Sequence, residues 1–126
     1  MTVAVLEPHA SGHRAYYVRW IAESLQAAGK QPIIGGGPEL LEHPAVAELL
    51  HQGVPSVCLA ITDRLARRQS SRVGLIRRQF AYRTYFGRLF KRANDEYSVG
   101  GVVVPYVDYC LYALAMCGAP CSNGDP

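Results

Sequence analysis

No apolar run in this chain approaches the roughly 20 residues that a membrane-spanning helix needs. The N-terminus has no basic stretch leading into an apolar core and a cleavage site, which argues against secretion and predicts a cytoplasmic protein. The four cysteines, Cys58, Cys110, Cys117 and Cys121, form no C-x-x-C pair. Three of them lie in or beside apolar segments and read as buried or incidental thiols in a reducing compartment, not as a disulfide framework. Their spacings supply no closely paired zinc ligands, and no metal is expected. His9 and His13 stand four apart, a metal-binding spacing on a helix, but Pro8 and Gly12 argue against a helix there. Gly35-Gly36-Gly37 lacks the lysine of a P-loop and the G-x-G-x-x-G spacing of a dinucleotide site. It therefore predicts a flexible strand-to-helix connection, and no cofactor is expected. Repeats, low-complexity tracts and linkers are also missing, and 126 residues fit one domain large enough to bury a core without disulfides.

Acidic residues are missing where cations gather. Between Arg64 and Arg92 lie ten of the thirteen Lys and Arg residues and no Asp or Glu, although the net charge is only +3. Such a block faces water, an anionic surface or a polyanion. Within it, Arg72 to Arg92 is amphipathic. Leu75, Tyr82, Phe86, Leu89 and Ala93 form an apolar stripe, while Arg77, Arg78, Arg88, Lys91 and Arg92 form a basic surface. One reading is a helix packed on a sheet with a solvated outer face. Another is attachment to an anionic membrane, where each cation near headgroups contributes about 1 kcal/mol. Arg with interleaved Tyr and Phe would suit RNA, but no recognised RNA-binding motif accompanies them, which disfavours nucleic acid.

What is present alternates. Thr2 to Glu7 predicts a strand. Arg14 to Ala28 predicts a helix with Val18, Ile21, Leu25 and Ala28 on one face and a left-handed cap at Gly29. Gln31 to Ile34 is a second strand, and Pro38 to Gln52 is helical but broken, with Pro44 in a first turn and Gly53 as cap. Val54 to Ile61 has the length of a central strand buried on both faces. Thr62 or Asp63 caps a long helical region reaching Tyr97, interrupted near Ser70 and Ser71. Gly101 to Pro105 is a fourth strand and Val107 to Cys117 a fourth helix. Strictly alternating strands and helices predict a doubly wound α/β fold, a parallel sheet of four to five strands with helices on both faces.

After Gly118-Ala119-Pro120 the alternation asks for a fifth apolar strand, but the chain reads Cys121-Ser122-Asn123-Gly124-Asp125-Pro126. One reading is a domain over residues 1–120 followed by a truncated remnant at 121–126, with a sheet edge left open. The other is a complete four-stranded domain with a short disordered tail.

The order of these pieces resembles the N-terminal, acceptor-side domain of GT-B glycosyltransferases, in particular the family-4 group of retaining enzymes. Members open with a strand, a Gly-containing loop, a helix ending L-x-x-x-G-[HK] and a second strand. Here Gly12-His13, Leu25-Gln26-Ala27-Ala28-Gly29-Lys30 and Pro32-Ile33-Ile34 match. Gly101-Val102-Val103-Val104-Pro105-Tyr106-Val107-Asp108 and Gly118-Ala119-Pro120 look like the later strand and the G-x-P lead of that family. The resemblance spans nearly the whole chain and rests on order and spacing. It implies a Rossmann-like fold and transfer of a sugar from a nucleotide-sugar to an acceptor hydroxyl, without metal.

Departures accompany it. The first loop has Gly12 alone where members commonly have two adjacent glycines, and the strand after G-x-P, with its histidine near the sugar, is missing. No two among Glu7, Glu23, Glu39, Glu42, Glu48 and Glu96 have the eight-residue spacing of the donor-binding domain. The resemblance therefore implies a half-enzyme that meets nucleotide-sugar and acceptor only with a C-terminal domain, and is inactive as this fragment. A reading of another class is a free-standing flavodoxin-like or nucleotide-binding α/β module without catalysis.

The loop after the first strand and the turn after the fourth lie where open parallel sheets place ligands. Ser11 can hydrogen-bond, Gly12 permits close backbone approach, and Arg14 can pair with phosphate. With His13 and Asp108 they form the candidate substrate site. Alternatively, Ser11 and Asp108 cap helices and His13 is a solvated first-turn residue. No catalytic residue is assigned.

Overall fold

The computed structural model describes residues 1–67 and 71–118. The expected tail at 121–126, Cys121, and the Ala119-Pro120 part of the G-x-P motif lie outside the described residues. Strand β1 (Thr2–Glu7) is the buried run Val3 to Glu7. Helix α1 (Arg14–Ala27) follows and stops as its sequence predicts. Gly29 takes φ 74°, Lys30 N–H donates to the Leu25 carbonyl at 2.9 Å, and Gly29 N–H to the Gln26 carbonyl at 3.0 Å. That pair of bonds satisfies carbonyls the helix end would otherwise orphan. The buried face is Ala15, Val18 and Ala22; Ala28, expected on it, is the exposed cap.

Strand β2 (Gln31–Gly36) leads into α2 (Pro38–Glu42) and α3 (Pro44–His51). The break falls at His43, whose Nδ1 accepts the Ala45 N–H at 3.2 Å, while Pro44 sits where a helix needs no N–H. Then come β3 (Ser56–Cys58), α4 (Asp63–Ala66), α5 (Arg72–Tyr97), β4 (Gly101–Val103), a 3-10 turn (Val107–Cys110) and α6 (Leu111–Cys117). The expected break before α5 is where the sequence put it, and Ser71 Oγ accepts the Gly74 N–H at 3.0 Å to start the long helix.

All four described strands are parallel, in the order β3-β2-β1-β4. One face carries α1, α2 and α3, with Ala15, Val18, Leu40, Val46 and Leu49 packed on Val5 and Ile34. The other carries α4, α5 and α6, with Leu65, Tyr82, Phe86, Leu89 and Ala113 packed around Ala4, Leu6 and Val57. This is the doubly wound α/β architecture. Crossing back from β3 to a place beside β1 reverses the strand order, and the crevice at such a reversal opens at the carboxyl ends of the strands.

Three expectations are corrected. Val54 to Ile61 is not a central strand: only Ser56–Cys58 pairs, and it forms an edge of the sheet. An apolar run reports burial, not position in the sheet; here Leu59 and Ile61 are loop residues packed against the core. Gly35-Gly36-Gly37 is not a flexible connection, because Gly35 and Gly36 complete β2 and all three are buried. A Cβ on Gly35 would lie 2.8 Å from Leu6 Cδ2, and one on Gly37 2.9 Å from the Pro8 carbonyl oxygen, so these glycines serve close packing. Leu75, expected in the buried stripe of α5, is 47% exposed; burial on that helix starts only at Tyr82.

Candidate functional site

A cleft of about 830 Å³ opens on the α5 side of the carboxyl edge. The loop after β1 contributes His9 and Ser11, the start of α1 contributes Arg14, and the 3-10 turn after β4 contributes Asp108 and Tyr109. The far wall is Leu65, Arg72, Leu75, Ile76, Arg78, Tyr82 and Met116.

Of the residues expected to form a site, Ser11, Arg14 and Asp108 meet at this cleft. Arg14 Nη1 donates to Ser11 Oγ at 2.5 Å, so Ser11 anchors the guanidinium and does not cap α1, whose N-cap is His13. Gly12 takes φ 65° with open space where a Cβ would lie; it shapes the turn and leaves the lining to its neighbours. His13 is exposed and faces the Tyr17 ring at 6.5 Å. Asp108 stands inside the 3-10 turn, whose N-cap is Tyr106, so it caps no helix. His9 contacts Tyr82 while His13 faces Tyr17, and among the described residues no three metal-ligating side chains gather.

The basic surface divides. Arg77 and Arg88 are exposed, and Lys91 pairs with Asp95 at 2.9 Å on the helix exterior. Arg92 donates to the Cys58 carbonyl oxygen. Arg78, expected on the outer face, turns into the cleft wall, where Nη2 donates to the Leu65 carbonyl at 2.9 Å and the guanidinium carbon lies 5.5 Å from the Tyr82 ring centre.

Beneath the cleft lies a polar cluster that the sequence reading did not single out. Glu7, the last residue of β1, is fully buried. Its Oε1 accepts from Tyr109 Oη at 2.9 Å and from His9 N–H at 3.2 Å, while Oε2 is buried without a partner among the described residues. Burial pushes the carboxyl up to about 7, against the pull of the His9 N–H, the Tyr109 hydroxyl and the Arg14 charge. Burial likewise pushes the Tyr109 hydroxyl upward, helped by the Glu7 charge. His9 is driven below its usual range by desolvation and by the nearby charges of Arg14 and Arg78, so a neutral imidazole lines the cleft at pH 7. Its Nε2 lies 2.6 Å from Tyr82 Oη, and the Tyr82 and Tyr109 rings stack at 4.6 Å. Arg14 completes the group, its guanidinium 5.1 Å from the Tyr106 ring and 5.2 Å from the Tyr109 ring. Chemically this is a cationic, aromatic-walled pocket with a neutral base and hydroxyls suited to hydrogen-bonding an anion or polyol.

No protein-family model matches the chain. No curated protein matches it in sequence. In fold it is similar to a glycosyltransferase from Rickettsia africae ESF-5, with a TM-score of 0.51 at 16% identity. The match covers 94% of this chain and 27% of that one. The chain has a glycosyltransferase-like α/β fold.

One signal for the missed cluster was available. Glu7 is the single charged residue in an otherwise apolar strand, placed at its carboxyl end, where a charge is either solvated or functional. Tyr82 and Tyr109 carried none, since 27 residues separate them and only the fold stacks their rings.

Proposed function

We propose that this chain is the acceptor-side half of a retaining GT-B glycosyltransferase of the family-4 type, over residues 1–120. The observation that carries the reading is the cleft at the strand-order reversal, lined from both the β1 and the β4 loops. In that role Arg14, oriented by Ser11, meets an anionic group of donor or acceptor, and Asp108 accepts a hydrogen bond from an acceptor hydroxyl. Gly12 holds the loop in its turn, and the exposed His13 beside Tyr17 would meet a facing domain. The donor is a nucleotide-sugar held by a second domain, so the protein's work is positioning and stabilisation of the departing diphosphate.

The 126-residue chain alone is expected to transfer no sugar. Assayed with a panel of nucleotide-sugars and acceptors, it should give turnover only when fused to a donor-binding C-terminal domain. Turnover by the chain alone overturns the half-enzyme reading, and silence of every fusion overturns the glycosyl-transfer reading.

No described helix is long and apolar enough to cross a membrane, but the first turns of α5 suit a peripheral contact on the cytoplasmic side. Val73, Leu75 and Ile76 are 59%, 47% and 50% exposed, beside the exposed Arg72 and Arg77. The chain is expected to co-sediment with anionic vesicles at low salt and to lose them as salt shortens the Debye length. Equal sedimentation with neutral vesicles removes this reading.

A further inference from the structure

We propose that the cleft takes a single-chain lipid phosphate, its phosphate held by Arg14 and Arg78 and its chain laid along Leu65, Ile76 and Met116. The inference rests on the reading of this cleft as the acceptor site and names the chemical class of the acceptor.

The lining joins cations to an apolar wall: His9, Ser11 and Arg14 come from the β1 side, and on the far wall Arg72 and Arg78 stand among Leu65, Leu75, Ile76 and Met116. Leu65 is 1% exposed, Ile76 50% and Met116 75%. The apolar wall thus runs from the core out to solvent, the shape a flexible chain covers and a compact sugar does not.

Arg14 and Arg78 form no ion pair among the described residues, whose salt bridges belong to Arg19 and Lys91. Both Nε atoms are buried without a partner among the described residues. Aromatic seats on Tyr106, Tyr109 and Tyr82 orient the two guanidinium groups while leaving their charge available. Asp108, exposed at the rim, is the one carboxylate on the lining among the described residues, and the buried Glu7 lies behind Tyr109. A phosphate offers oxygens to both guanidinium forks. Because both arginines are half-buried within the cleft, the ligand enters as a single molecule and not as the plane of a bilayer.

Calorimetric titration of the full chain tests this with dodecyl phosphate below its micelle concentration, inorganic phosphate, and dodecyl maltoside. Dodecyl phosphate should bind at least about 100-fold more tightly than either, equivalent to about 2.7 kcal/mol. Arg14→Met should weaken dodecyl phosphate about tenfold or more, and Arg14→Lys should restore part of the loss. Ile76→Ser, at an exposed position that leaves folding intact, should weaken dodecyl phosphate about tenfold and leave inorganic phosphate unchanged. Equal affinity for dodecyl maltoside, indifference to Arg14→Met, or binding to anionic vesicles without binding of the monomeric amphiphile each overturns the proposal. Failure here is distinct from failure of the proposed function. A fusion that glycosylates water-soluble acceptors while the chain ignores dodecyl phosphate overturns this ligand class alone. Tight dodecyl phosphate binding with every fusion silent overturns the transferase reading alone.

Discussion

Glu7→Gln is expected to stabilise the protein by on the order of 3 kcal/mol at pH 8 and to change nothing at pH 4. Burial raises the Glu7 carboxyl from 4.5 to about 7. Between those values the folded chain holds a proton that the unfolded chain has released. Stability of the native sequence from this group is therefore complete below about pH 4.5 and is lost as pH rises through 7. Glutamine reproduces the neutral charge of the protonated acid, and its Oε1 can accept the Tyr109 and His9 bonds at any pH. Urea unfolding of both proteins from pH 4 to pH 8 gives the difference directly, and other carboxylates cancel in the comparison. The midpoint on heating at pH 8 should rise by roughly 10 °C. Parallel stability curves across the range would mean that Glu7 is hydrated and ionised in the folded state.

A second large effect is expected at Gly36, where Gly36→Ala should cost about 3 kcal/mol or more. A Cβ there would stand 2.1 Å from the Glu7 carbonyl oxygen and 2.6 Å from Leu40 Cδ2. The first of these atoms is backbone of the paired strand, in register with Gly36, and cannot swing away as a side-chain tip does. β1 and β2 must part where the loop that carries His9 and Ser11 begins. The entropic gain of Gly→Ala, about 0.4–1 kcal/mol, is too small to offset this. Gly101→Ala is the matched control: its Cβ meets nothing nearer than 3.8 Å, and it should shift stability by about 0.5 kcal/mol or less. Chemical denaturation of both variants checks the pair, and equal midpoints would show that β2 accommodates the methyl group.

Much of the fold was legible because its signals are local. Gly29 ends α1 through bonds to Leu25 and Gln26, all within one helical turn. Pro44 and Ser71 mark helix starts by what a backbone N–H needs at that position. The edge position of strand β3 is not legible in the sequence because the signal for it is not local. Whether an apolar run lies at the centre or the edge of a sheet depends on which strands come to pair with it. Gly35-Gly36-Gly37 departs from the expected flexible connection for the same reason, since flexibility belongs to an isolated glycine run, while close packing requires Leu6, Val57 and Leu40 around it.

The site divides along the same line. Arg14 and Ser11, three residues apart, find each other through the turn at Gly12, and sequence alone places them at a strand's carboxyl end. The alternation of apolar strands with capped helices determined by itself that this is a parallel α/β sheet and that the loops after β1 and β4 lie at its carboxyl edge. Only the tertiary structure decided that Arg78 leaves the basic face of α5 for the cleft, that Tyr82 and Tyr109 stack on each other beside His9, and that Glu7 is sealed from water. Those outcomes depend on desolvation and on contacts between residues as far apart as Glu7 and Tyr109. Neither composition nor periodicity encodes which distant side chains will exclude water from a given carboxylate.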